Sequence, residues 1–143
     1  QYNLAIGQYK STKFLFLKIH LSNLLCYDAV SSYGVFEMQS INLVQGDSGL
    51  NLRVNLSRAD GSNLNLSQAS ANLYVRKRKS ENLEFTIAGS VNSEDDYVIF
   101  SFNNNELDIT PGEYFGEVEV SLGGGVVETV YDLIKLNIRQ EFA

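Results

Sequence analysis

One stretch of this chain reads as a strand with punctuation at both ends. From Tyr114 the residues alternate. Tyr114, Gly116, Val118, Val120 and Leu122 fall on one face, and Phe115, Glu117, Glu119 and Ser121 on the other. That period of two is the mark of a half-buried strand. Ahead of it stands Pro111, the only proline. There its fixed φ shapes a turn without removing a ladder hydrogen bond. Gly112 follows and suits the positive φ of a type II turn. Behind the strand, Gly123-Gly124-Gly125 ends it in a hairpin loop. Such a strand needs a sheet around it and a second layer to cover its apolar face.

The same alternation recurs on either side. Ile41 and Leu43 start a strand that ends at Gly46-Asp47, and Leu50, Leu52, Val54 and Leu56 alternate with polar residues before Asp60-Gly61. Leu64 and Leu66 sit in a short polar bridge. Ala71, Leu73 and Val75 make a further strand, and Phe85 with Ile87 a short one before Gly89. Tyr97–Phe102 is apolar on both faces, which places it centrally or under cover on both sides. The last strand runs from about Val126 to Arg139, with Val130, Ile134, Leu136 and Ile138 inward and a parity break near Asp132-Leu133 that a bulge explains. Seven to eight strands, with turn signals every ~8–12 residues, predict an all-β antiparallel β-sandwich. No helical periodicity, heptad seam or fixed-period repeat competes with it.

Residues 1–37 read differently and form an expected N-terminal arm or extension to a sandwich domain at 38–143. They hold the only Cys (Cys26) and the only His (His20), and three lysines against two acids, a net of +1. The remainder carries eight basic and fifteen acidic residues, a net of −7. Phe14, Leu15, Phe16, Leu17, Ile19 and Leu21 form an apolar run whose spacing fits a strand, while Leu17, Leu21, Leu24 and Leu25 fit a helix. A run this apolar needs burial against the domain or a partner, and the arm is expected to hook onto a neighbouring subunit, with 38–143 folding without it. Lys18 and His20 interrupt it as a signal-peptide core. Met38, the only methionine, is an alternative start for the chain. No apolar window is long enough for a membrane span. A net charge of −6 gives nucleic acid no basic footprint. A single cysteine makes neither an intrachain disulfide nor a cysteine metal cluster.

Gly46-Asp47, the alternating Leu50/Leu52/Val54, Asp60-Gly61 leading to Asn65-Leu66-Ser67, the strands Ala71–Arg76 and Tyr97–Phe100, and Pro111–Val118 together carry a family likeness. Over roughly residues 38–139 the chain resembles the N-terminal immunoglobulin-like domain of the tailed-phage baseplate upper protein family. The resemblance implies an immunoglobulin-like sandwich and a non-enzymatic virion structural protein, with other virion proteins and further copies of the chain as partners. Members carry this domain ahead of a longer chain. This one stops at Ala143, which implies a decoration, neck, tail or baseplate attachment role. The alternative reading is a carbohydrate-binding or adhesin module that takes a host glycan.

No residue cluster demands a reaction, a cofactor or a metal. Arg76-Lys77-Arg78-Lys79 is a candidate surface for an anionic partner, or else a solvated strand end that blocks edge pairing. Glu94-Asp95-Asp96 has the oxygens for Ca²⁺ but lacks alternating ligands and a glycine turn. Glu117 and Glu119 lie about 7 Å apart along one strand face, near catalytic carboxylate separations, yet nothing implies the cleft a hydrolase needs. Tyr74, Tyr97, Phe115 and Tyr131 fall on outward or edge positions, as a subunit contact or a sugar platform. Tyr114, with Pro111 and Gly112, matches a tyrosine corner, in which the hydroxyl bonds back to the preceding turn.

Overall fold

The computed structural model describes residues 15–21, 39–58, 64–130 and 133–143. They form ten strands: β1 (Leu15–Leu21), β2 (Gln39–Val44), β3 (Leu50–Arg58), β4 (Ser70–Lys77), β5 (Leu83–Ala88), β6 (Ser90–Asn92), β7 (Tyr97–Phe102), β8 (Gly112–Gly123), β9 (Val126–Thr129) and β10 (Ile134–Arg139). One sheet has the order β1-β3-β7-β6. The other runs β2-β10-β8-β4-β5, with β9 also paired to β8. All pairings are antiparallel except β2 with β10. This is an all-β, immunoglobulin-like β-sandwich.

Alternation builds the core. Leu52, Val54 and Leu56 of β3, with Val98, Phe100 and Phe102 of β7, cover one inner face. Leu73 and Val75 of β4, Val118 and Val120 of β8, and Ile134 and Leu136 of β10 cover the other, and all are buried. Phe85 of β5 meets Phe102 edge to face, with ring centroids 6.1 Å apart, and so ties one sheet to the other. The chain changes sheets through the single residue Gly89 between β5 and β6. A Cβ there would lie 2.3 Å from Val98 Cγ1, so only glycine fits the crossing.

Three departures from the sequence reading have physical causes. First, the apolar run of the expected arm is a strand, and it pairs with this chain's own β3 from Leu15↔Arg58 to Leu21↔Leu52. Residues of the arm thus supply a strand at the end of this chain's own four-stranded sheet. Phe14 lies outside the described residues. Second, the strand count exceeds seven to eight because β1 joins, the three-residue β6 forms, and the last strand is split. On β8, Glu119 pairs with Thr129 and Gly116 with Ile134, so two residues of β8 stand against four of the sequence between those pairs, an insertion of two. It keeps parity, with Val130 and Ile134 both inward, so the expected parity break near Asp132-Leu133 does not occur. Residues 131 and 132 lie outside the described residues. Third, Gly112 has φ +152° and opens β8, where a type II turn would put it near +80°.

At the head of β8, Tyr114 is buried to 1% exposure and its hydroxyl donates to the carbonyl of Thr110, one residue before Pro111. The ring packs in the core while the hydroxyl satisfies the turn. Tyr114→Phe removes that bond and is expected to cost about 1 kcal/mol in urea unfolding, whereas an unchanged midpoint would mean that the bond contributes nothing. Deleting residues 1–37 bares the β3 edge, so the unfolding midpoint should fall and the protein should self-associate more readily. A truncated chain as stable as the full one would show that the β1–β3 ladder adds no stability.

Candidate functional site

The outer face of the β2-β10-β8-β4-β5 sheet follows from the same alternation. Tyr74 and Arg76 point outward from β4, and Phe115 and Glu117 from β8. Cross-strand pairing sets Tyr74 beside Glu117 and Arg76 beside Phe115. These four side chains form the floor of a groove of about 570 Å³.

Two irregularities raise its walls. In β5, Val75 pairs with Phe85 but Arg76 pairs with Leu83, which leaves Glu84 as an extra residue. A regular strand would turn Leu83 inward with Phe85. The bulge turns it outward, where it is 54% exposed and borders the groove beside Arg76. Leu133, at the end of the insertion before β10, borders the groove from the other side. The β4–β5 turn closes one end through Lys77, Lys79, Ser80 and Glu81. Ser80 N–H bonds to Lys77 O at 3.0 Å, and Lys79 holds a left-handed φ of +63°.

The basic tetrad is therefore neither an edge block nor a single patch. β4 lies between β8 and β5, so it has no free edge to protect. Arg78 is consumed: its Nη1 donates to Glu113 Oε1 at 2.9 Å, while Lys135 Nζ reaches Oε2 of the same carboxylate at 2.8 Å. Arg76, Lys77 and Lys79 make no ion pair among the described residues and line the groove. The bonds from Lys135 and then Arg78 hold the Glu113 carboxyl below the usual carboxylate range.

Of the two candidate carboxylates on β8, only Glu117 borders the groove. Glu119 accepts a hydrogen bond from the Tyr74 hydroxyl at 3.2 Å. Burial first, then the charge of Glu119, pushes the Tyr74 hydroxyl up from its ordinary pKa. The two acids do not face each other across a cleft, so they are not arranged to flank a scissile bond. Tyr97 lies on the opposite sheet, where the Arg53 guanidinium stacks 3.8 Å from its ring centroid. Tyr131 is outside the described residues. The side chains of Leu15, Phe16, Leu17, Ile19 and Leu21 are likewise not described, so only their backbone can be placed.

In the acidic turn, Asn92 Oδ1 accepts from the backbone N–H of Glu94 and of Asp95. Among the described residues no group of three or more His, Cys, Asp or Glu side chains is placed to hold a metal ion. Sequence reasoning grouped Tyr74 and Phe115 with Tyr97 and Tyr131 as outward or edge aromatics; the groove brings the first two together and leaves out Tyr97. Leu83 and Leu133 were not identified, and only the parity break near Asp132-Leu133 pointed to either.

No family model and no curated protein matches the chain. Solved structures that resemble it include CopC from Methylosinus trichosporium OB3b, at 8% identity and a TM-score of 0.47, covering 90% of this chain and 97% of that one. PcoC, a methionine-rich copper resistance protein from Escherichia coli, matches at 12% identity and a TM-score of 0.41, over 72% of this chain and 90% of its own. AggA, the major subunit of aggregative adherence fimbriae type I from Escherichia coli, matches at 13% identity and a TM-score of 0.37, over 90% and 98%. None of the three is a phage baseplate protein. The expected role as a bacteriophage virion structural protein is corrected on this finding. This chain has one Met, one His and one Cys in all.

The clamp on Glu113 has a pH signature. A carboxyl whose pKa is depressed by folding adds stability above its unfolded pKa and loses that contribution as pH falls through the folded value. Glu113→Gln should therefore lower the urea midpoint at about pH 7, and the gap to the parent should close in acid, below the ordinary carboxylate pKa of ~4.3. A gap that persists in strong acid would assign the effect to packing and not to charge.

Proposed function

We propose that this chain is a non-enzymatic immunoglobulin-like recognition module of the carbohydrate-binding or adhesin kind, with the β4–β8 groove as its binding site. The observation that carries this reading is the pairing of two outward aromatic side chains, Tyr74 and Phe115, in one groove with free polar groups at its rim. An aromatic face stacks on the C–H face of a sugar ring, and rim groups that keep their hydrogen-bonding capacity can take up its hydroxyls. A volume near 570 Å³ falls within the ~300–1,000 Å³ range of small-ligand sites. Strand pairing on both sides of β4 and β8 holds the floor rigid, so little ordering entropy opposes binding.

The test is a glycan array followed by titration calorimetry on the best binder. Phe115→Ala removes an aromatic surface that is not part of the core. It should weaken binding by about tenfold or more, equivalent to ~1.4 kcal/mol, with little change in thermal unfolding. Full retention of binding by both Phe115→Ala and Tyr74→Ala would remove the groove as the site.

A further inference from the structure

Resting on that reading, we infer that the groove selects anionic saccharides, with Arg76 and Lys79 as the groups that receive the acid. Three groove cations, Arg76, Lys77 and Lys79, stand against two carboxylates, Glu81 and Glu117, so the groove is locally positive on a chain of net charge −6. Glu119, bonded to Tyr74, offsets part of this, while acids farther off are screened, because the field of an exposed charge decays over about 8 Å at physiological salt.

The neighbouring ion pairs sharpen the point. Glu113, beside the β4–β5 turn, already holds Arg78 and Lys135. It therefore draws neither Arg76 nor Lys79. Arg76 stands on the floor between Phe115 and Leu83, its partners in the two flanking strands. Both neighbours are apolar, and Arg76 makes no ion pair among the described residues even with Glu117 on the same floor, so its planar fork is open to an oxyanion. A carboxylate bound there would make charge-assisted bonds of the stronger class. The sugar ring carrying it would rest on the adjacent Phe115. Lys79, held by its left-handed turn, adds a second cation at the groove's end.

The experiment compares matched pairs on the full chain: tetragalacturonate against its methyl ester, and 3′-sialyllactose against lactose, with sulfated lactose as a third acid. At least one acidic member should bind about tenfold or more tightly than its neutral parent, and added salt should erode that margin. Carboxylate and sulfate arms then separate the two sources of negative charge. Arg76→Gln should abolish the acid preference. Lys79→Gln, in the exposed turn, should reduce the preference in part and guards against a folding defect in the first variant. Neutral parents bound as tightly as the acids, or a preference that survives both substitutions, would overturn the inference while leaving the binding module intact. Binding of none of these probes, with no glycan captured on the array, would overturn both.

Discussion

Strand β8 is the constraint on which the rest depends. One edge pairs with β4 from Ser70↔Ser121 to Lys77↔Tyr114, and the other carries β10 and then β9 in succession. Two ladders fix its rotation about its own axis, so its side chains cannot exchange faces without breaking both. Inward, Tyr114, Val118 and Val120 fill the core, and Gly116 leaves room for Leu73, whose Cδ1 would lie 2.9 Å from a Cβ there. Outward, Phe115 and Glu117 are delivered to the groove by the same registration. Core and candidate site are thus two faces of one decision, and the tyrosine corner sets where it begins.

The groove owes its depth to defects. A flat sheet face offers a ligand little enclosure. Here the extra residue Glu84 turns an apolar side chain out of the core, and the insertion before Ile134 brings Leu133 to the opposite rim. Bulges next to binding sites commonly re-aim a side chain in this way. The charge distribution is equally specific. Glu113 neutralises one member of the basic tetrad and a lysine from β10, and thereby leaves the remaining tetrad cations unclaimed.

Much of the fold was legible in the sequence because burial on one face writes itself as alternation. Leu52, Val54 and Leu56, or Ile134, Leu136 and Ile138, needed nothing else. Tyr114 was legible because a turn proline and a glycine precede it at corner spacing. The strand β1 was ambiguous because its leucines satisfy both a period of two and a helical period, and only pairing with β3 selects between them. Leu83 was illegible because a bulge is set by the register of two strands, which no local pattern encodes. Arg76–Lys79 misled as an edge block because position within a sheet is a non-local fact. The phage resemblance rested on turn and strand-entry residues such as Gly112 and Tyr114. Those residues serve the sandwich itself, and a fold shared by many proteins carries no function of its own.

The parallel pairing of β2 with β10, from Gln39↔Ile134 to Val44↔Arg139, also decides how the domain bears load. Tension drawn from the N-terminal side of β2 and the C-terminal side of β10 runs along the two strands in opposite senses. The evenly spaced bonds of a parallel ladder then strain together and cannot open one after another. An antiparallel hairpin pulled apart at its open end would instead unzip bond by bond. A domain loaded in this way resists unfolding through the joint strength of the whole ladder and not through its weakest bond.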